Sequence, residues 1–584
     1  MWENPDMLRG PDARLRLIAI LLIAALLPIL GQLVRLQILE HSRYQSEAEA
    51  LVQRQYALPA SPWGVVMDRN GDLLVGNLPV YDIGAEISMI TDTQMAASVL
   101  APLLNVPEAQ LLKTLTLPQD AHGIVWRPLA YHIPEVSAQK IKALGWPWIT
   151  MSPGWERYYA EGALAAHTLG FVNARGVGYG VQAFQARFLQ SESLSRTGTL
   201  GGDDSPMVNE LINNSFVPYR GTDLRLTIDR TIQAYVEGVL DQALVDYKAT
   251  GGTILVLNVR TGEVLAVASR PHYEPYHYAD YVQNGQESLF RDPAASISYE
   301  PGSVFKIVTV AAALDSGRVD LNWTYEDTGA LEYGGAVIYN SSRAAYGRQG
   351  LQGILDHSLN VGVATLTTRV LGAELFYKYV RAFGFGKTTG LEVTGEASGL
   401  VHLPTDWDWS DSNLATNAFG QGIAVTPLQM AVAAAAIAND GVMMQPHIVA
   451  ERYYPDGRAV PIPPNELGRP ISAETARTVT ELMARSVEKF AKEAQVPGYR
   501  VAGKSGTAQI PTTGGYDPQQ VITSYVGFGP LPDPQVVILV KLDRPDVPLS
   551  MRWGTQTAAP VFQKVAARVF ILLGLPPSDL HAGP

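Results

Sequence analysis

The chain has 584 residues, 17% of them charged and 47% hydrophobic, with a formal net charge of −12. That length exceeds what one hydrophobic core serves and predicts about three or four structural units, while the acidic balance argues against a nucleic-acid partner. The absence of cysteine excludes disulfides, zinc–thiolate sites and a thiol nucleophile.

In chain order, a short tail over 1–16 precedes an uncharged apolar run, Leu17 to Val34, at the lower end of membrane-spanning length. No small-x-small cleavage site follows it, so the run reads as an uncleaved transmembrane anchor over 17–38 rather than a signal peptide. Arg9, Arg14 and Arg16 before the span are matched by Arg35, Arg43 and Arg54 after it, so charge alone sets no orientation. Ala24, Pro28 and Gly31 share one helix face, with Gln32 beside them. Small residues let helices approach closely in a bilayer, and a polar amide can bond across the contact.

A stalk and pedestal are expected over 39–225. Residues 40–56 are polar with helical spacing. Val65 to Val75 reads as two short strands about Asn70-Gly71, the strongest short hairpin signal. Helical runs follow at Thr93–Leu104 and Pro134–Leu144, and Ser191 to Asn209 reads as a loop or disordered segment.

The second half, 226–576, opens with apolar residues at helical spacing from Ile228 to Tyr247. A hairpin over 253–268 follows, turning at Arg260-Thr261-Gly262. Strand-like runs recur at Val501–Gln509, Ser524–Gly529 and Val536–Leu542, and a closing helix at Ala559–Leu573. Two early strands and three late ones predict one five-stranded antiparallel sheet flanked by helices, with the intervening helices forming a separate all-helical lobe. A short tail, 577–584, ends the chain.

Between those strands lies Ser303-Val304-Phe305-Lys306, after Pro301-Gly302 and before an apolar helical stretch. A serine there sits where free N–H groups favour developing negative charge. A lysine three residues on shares its face and, if burial lowers its pKa, can act as base. Ser-x-x-Lys alone is weak: composition predicts about two chance matches, and Ser137–Lys140 and Ser486–Lys489 also fit. Ser358-Leu359-Asn360 and Lys504-Ser505-Gly506-Thr507 then follow in order. Asn360 could merely cap a helix and Lys504 could be a solvated strand charge. The ordered triple, however, is the signature of penicillin-binding proteins and serine β-lactamases.

Further motifs extend that likeness through most of the chain. They include Asp68-Arg69-Asn70-Gly71, Arg157-Tyr158-Tyr159, the run Leu164 to Phe171, Tyr299-Glu300-Pro301-Gly302-Ser303, Phe419 to Gln429, and Tyr525 to Pro530. On these the chain resembles the class B penicillin-binding proteins, most closely the septal cell-division transpeptidases; Gly514-Gly515-Tyr516 leans toward division rather than elongation enzymes. The fold so implied is multidomain: a transmembrane helix, a mixed α/β pedestal of the class B dimerisation type, and a penicillin-binding transpeptidase domain. Trp63 stands where the family has arginine, Gln182 where it has glutamate, and Ala160 where proline is common.

The resemblance implies a peptidoglycan D,D-transpeptidase that releases D-Ala from a stem pentapeptide on a nascent glycan strand and is acylated by β-lactams. It implies Ser303 as nucleophile, Lys306 as base, Ser358 as proton relay and Asn360 as ligand of the donor's peptide amide. Lys504, Ser505, Gly506 and Thr507 would hold the substrate carboxylate, with the N–H groups of Ser303 and Thr507 forming the oxyanion hole. No metal or organic cofactor is needed. It also implies a multi-spanning glycosyltransferase partner and a single-pass plasma- or inner-membrane protein, its N-terminus cytoplasmic and its catalytic part outside. An elongation-type transpeptidase, a D,D-carboxypeptidase, a β-lactamase and a β-lactam sensor share parts of the pattern. A class A β-lactamase would need a glutamate-activated water, and no Glu-x-x-Leu-Asn run occurs.

Overall fold

The computed structural model describes residues 62–116, 126–173, 177–190, 220–512 and 515–578, with isolated positions between 18 and 35. Apart from those positions, the expected anchor and stalk lie outside the described residues, as does the 191–209 loop. Among the described residues no helix is long and apolar enough to cross a membrane.

The Asn-Gly hairpin is present, joining β1 (Val66–Met67) to β2 (Leu73–Glu86), but β2 runs far beyond the turn. It continues because β3 (Trp126–Pro134) pairs with its later half and β4 (Ile149–Tyr159) with nearly its whole length. Three helices cover this sheet: α1 (Thr93–Leu104), α2 (Glu108–Leu115) and α3 (Glu135–Lys142). The α1 boundaries match the sequence reading because Asp92 caps Met95 N–H and Asn105 leaves the helix in the left-handed region. Ile83, Leu100, Leu111, Leu129, Ile133 and Ile141 form the core between them.

This sheet does not end with the pedestal sequence. β1 pairs in parallel with β5 (Asp223–Leu226), and β5 pairs with a strand from far down the chain, Val449–Tyr453. Buried polar contacts join the same two regions. Glu237, on α4 (Arg230–Tyr247), accepts from Ala165 N–H at 2.7 Å and pairs with Arg270 at 3.0 Å. The Tyr273 hydroxyl donates to Ala166 O.

Two of the departures from the family pattern meet at Arg157. Gln182 Oε1 accepts from Arg157 Nε at 2.9 Å, and the guanidinium lies 5.8 Å from the Trp63 ring centroid. If the resemblance holds at both positions, one cation and one anion are replaced together, which leaves the local charge sum unchanged. Burial, without a carboxylate bonded to it, lowers the Arg157 pKa to about 10. The Gln182 amide N–H groups donate to Tyr159 Oη and Gly170 O, which a carboxylate could not do.

The five-stranded sheet forms as expected and is antiparallel throughout. Its members are β6 (Gly251–Asn258), β7 (Val264–Arg270), β8 (Ala502–Thr512), β9 (Gly515–Gly529) and β10 (Val536–Asp543), in the order β8-β9-β10-β6-β7. Alternation along β10 divides the two cores. Ile538 and Val540 face α4 and the closing helix Ala558–Leu572, while Val537 and Leu539 face the helical lobe. At the centre of that lobe lies Pro427–Ala438, apolar on all sides and almost wholly buried, opened by a Thr426/Gln429 capping box. The lobe is not all-helical. Thr324–Asp327 pairs with Gly347–Gly350, and Ala330–Tyr333 with Ala336–Tyr339, the latter about a glycine pair with positive φ.

Candidate active site

Ser303 lies in a short 3₁₀ turn, Gly302–Phe305, and the α-helix proper begins only at Lys306 and runs to Asp315. The Pro-Gly opening therefore builds the turn rather than the first α-helical turn. Gly302 N–H donates to Gly420 O at 3.1 Å. A Cβ on Gly420 would meet Gly302 O at 2.4 Å, so the 420–422 loop reaches the Ser303 turn only as glycine at 420. Gly506 on β8 makes the opposite wall. A Cβ there would meet Val304 Cγ1 at 3.0 Å and Pro301 O at 3.1 Å. The edge strand of the sheet thus packs directly on the turn that carries Ser303.

The three motifs converge on Ser358. Lys306, fully buried, donates from Nζ to Ser358 O at 2.5 Å, to Asn360 Oδ1 at 2.7 Å, and approaches Ser358 Oγ at 3.1 Å. Lys504, 5% exposed, donates to Ser505 O at 3.0 Å and approaches the same Ser358 Oγ at 3.1 Å. Ser358 has φ +54°, in the left-handed region that side chains resist. That strained backbone sets its hydroxyl between the two amines.

Neither bland reading of these residues survives. Asn360 caps no helix: it is the first residue of Asn360–Thr365, and its amide donates to Tyr339 O at 2.9 Å. Lys504 is buried, not solvated.

Burial drives the Lys306 pKa well below that of a free lysine, and the Lys504 charge pushes it further down. Lys504 is lowered to about 8 by burial, with Asp356 opposing. A neutral Lys306 can give its two N–H groups to Ser358 O and Asn360 Oδ1 and keep a lone pair for a hydroxyl proton. A charged Lys504 can hold an anion. The Thr507 hydroxyl oxygen accepts from Gly554 N–H at 3.0 Å, which leaves its own proton available to donate.

Ser303, Ser358, Lys504, Ser505 and Thr507 line one cleft. Ser137 lies on α3 of the pedestal, outside it. Ser486 also reaches this cleft, but Lys489 is exposed and Ser486 gains no base from it. Sequence reasoning missed the aromatic wall: His357 packs against Tyr346 and Phe490, with Trp553 also lining the cleft. Only the position of His357 beside Ser358 could have signalled it. Among the described residues no cluster could hold a metal ion.

Comparisons with known proteins bear on both halves of the chain. Residues 252–567 match the model of the penicillin binding protein transpeptidase domain, and 60–201 that of the penicillin-binding protein dimerisation domain. Stage V sporulation protein D of Bacillus subtilis is 32% identical over 529 residues, covering 89% of this chain and 80% of that protein. The "Probable peptidoglycan D,D-transpeptidase PenA" of Neisseria meningitidis is 28% identical, covering 99% and 96%. Among solved structures, penicillin binding protein 3 of Mycobacterium tuberculosis complexed with aztreonam matches with a TM-score of 0.66 at 27% identity, covering 90% of this chain and 98% of that one.

Proposed function

Since the chain belongs to the class B penicillin-binding proteins, we propose that Ser303 is the nucleophile through which it works as a peptidoglycan D,D-transpeptidase. Ser303 Oγ attacks the penultimate D-Ala carbonyl while Lys306 Nζ takes its proton. The N–H groups of Ser303 and Thr507 hold the oxyanion; one such donor is worth about 3 kcal/mol of transition-state stabilisation. The C–N bond then breaks, and Ser358 passes the proton from Lys306 to the departing D-Ala nitrogen. An amine on a neighbouring stem attacks the acyl-enzyme and returns a proton to Ser303. Lys504, with the hydroxyls of Ser505 and Thr507, holds the terminal carboxylate, Gly506 lets that strand approach, and Asn360 orients the donor amide. A β-lactam enters by the same first step.

The observation that carries this reading is the Ser358 hydroxyl 3.1 Å from both lysine amines. It favours a working acyl-transfer site over a binding module. Septal cell-wall synthesis is the role that the sequence resemblance supports. A single N-terminal span, residues 17–38, with the catalytic part outside the cell, and a multi-spanning glycosyltransferase beside it complete the proposal. Domain limits at 39–225 and 226–576 follow the motif boundaries.

Labelled penicillin added to the purified full-length chain should leave an adduct that mass spectrometry maps to Ser303. Ser303→Ala should remove the adduct and keep the thermal unfolding profile. A label on Ser137 or Ser486, or one that survives the alanine change, would falsify the assignment.

A further inference from the structure

Glu300 stands three residues before Ser303, and none of the roles above uses it. Its Oε1 accepts from Gly422 N–H at 2.9 Å and from the Tyr516 hydroxyl at 3.2 Å. Its Oε2 is buried without a hydrogen-bond partner among the described residues. A buried polar atom left so carries an uncompensated desolvation penalty, which an apolar residue would avoid. The carboxyl joins three segments. The first is its own turn, which leads straight to Ser303. The second is the 420–422 loop, bonded to that turn through Gly302 N–H and Gly420 O. The third is the hairpin between β8 and β9, where Tyr516 pairs in register with Pro511. That hairpin continues the strand bearing Lys504 to Thr507.

We propose that Glu300 is a positioning residue that latches the Tyr516 hairpin and the Gly422 loop to the nucleophile turn, fixing the spacing between Ser303 and the Lys504–Thr507 strand. The latch rests on Ser303 being the nucleophile. Besides the packing of Gly302 on Thr507 and Ala508, backbone packing at Gly506 and the Glu300–Tyr516 hydrogen bond both hold the strand against the turn. Both act where the oxyanion donors must meet one carbonyl oxygen, and small displacements there are costly. Burial raises the Glu300 pKa from its ordinary value, against the pull of Gly422 N–H and the Tyr516 hydroxyl. Both hydrogen bonds go to the single oxygen Oε1, so what the latch uses is an acceptor oxygen, and a glutamine can supply it.

Rapid-mixing kinetics on the full-length chain with labelled penicillin separate the initial dissociation constant from the acylation rate constant. Glu300→Ala should slow acylation at least about tenfold and leave initial binding nearly unchanged. Glu300→Gln should recover most of that rate. Tyr516→Phe should slow acylation, and adding it to Glu300→Ala should slow it no further, because both remove one interaction. Wild-type acylation in Glu300→Ala, a glutamine variant as slow as the alanine one, or full multiplication of the two effects overturns the latch. Should Glu300→Ala not fold, Tyr516→Phe decides alone, since it deletes one hydroxyl from a ring 39% exposed; a wild-type rate there overturns the proposal. Mapping the adduct in each sample keeps the two readings apart. A label away from Ser303 removes the nucleophile assignment, while wild-type rates with the label on Ser303 remove the latch alone.

Discussion

In the proposed chemistry Lys306 and Lys504 face the same hydroxyl but need opposite charge states; burial lowers both pKa values, the Lys504 charge lowers that of Lys306 further, and Asp356 opposes the drop at Lys504. Lys306 must be neutral to take a proton, and full burial beside another ammonium favours that form. Lys504 must be charged to hold a carboxylate, and its pKa of about 8 keeps it so at neutral pH. Acylation should therefore rise with pH through the lowered Lys306 pKa and fall again near pH 8 as Lys504 loses its charge. Lys504→Arg, if it still acylates, should lack the alkaline limb, since a guanidinium stays charged. Lys306→Arg should be inactive, having no lone pair to offer. A flat acid side together with an active Lys306→Arg would refute the base assignment.

The same burial acts on the fold. A lysine whose folded pKa lies below its unfolded value of 10.5 gives up a proton on folding, so its burden is largest at low pH and fades as pH approaches 10.5. Lys306→Met removes that burden along with the chemistry. Its stability relative to the wild type should be highest in acid and should shrink as pH rises, read from denaturation midpoints at several pH values. A difference independent of pH would mean that the lysine is not buried neutral.

Among the elements, those with strong local signals stand where the sequence puts them. Asp92 caps α1, and Asp229 opens α4 by accepting from Thr231 and Ile232 N–H. The strands β6 and β10 of the five-stranded sheet carry near-continuous apolar runs. Residues whose chemistry identified them, Ser303, Lys306, Ser358, Asn360 and Lys504, do converge. What the sequence hid was decided by distant partners. The length of β2 depends on β4, and the 3₁₀ form of the Ser303 turn accompanies the backbone contact with Gly420. The hairpins of the lobe depend on glycines whose φ no pattern of hydrophobicity reports. The contact at Gly420 gives the prediction at this scale. Gly420→Ala forces a shift of the nucleophile turn, since its Cβ would lie 2.4 Å from Gly302 O at a φ of +79°. Penicillin acylation should fall by more than about tenfold, with a lowered melting temperature. A variant acylating at the wild-type rate would show that the turn is placed without this loop.

At the scale of the whole molecule, Glu237 couples the pedestal motif to the catalytic half through Ala165 N–H and Arg270. Without Glu237, Arg270 keeps Asp241, but the buried Ala165 N–H loses its acceptor, which costs about 1–3 kcal/mol. Glu237→Ala should therefore lower the denaturation midpoint, and partial unfolding detected by limited proteolysis should begin near 165–170. A midpoint equal to the wild type would assign the coupling to the aromatic contacts of Phe171, Tyr273 and Phe290 instead. The proposed anchor is a separate matter. Changing Ala24, Pro28, Gly31 and Gln32 together to leucine should keep membrane insertion and penicillin acylation and abolish both co-purification with the glycosyltransferase and support of cell-wall synthesis. Full complementation with the polymerase still bound would move the docking face elsewhere.

The strand Val449–Tyr453 that completes the pedestal sheet also bears on how the chain comes to be assembled. During synthesis the edge of β5 emerges more than two hundred residues before its partner, with Leu224 and Leu226 still lacking the neighbour that covers that side. A nascent pedestal is then an open sheet, and open edges recruit foreign strands. A fragment ending at residue 260 should thus aggregate or bind an added peptide of sequence 447–462, whereas the full chain should ignore that peptide. The closing of the first sheet by a late strand makes completion of that sheet wait on the catalytic half, even though the core between β2, β3 and the three helices is made of early residues alone.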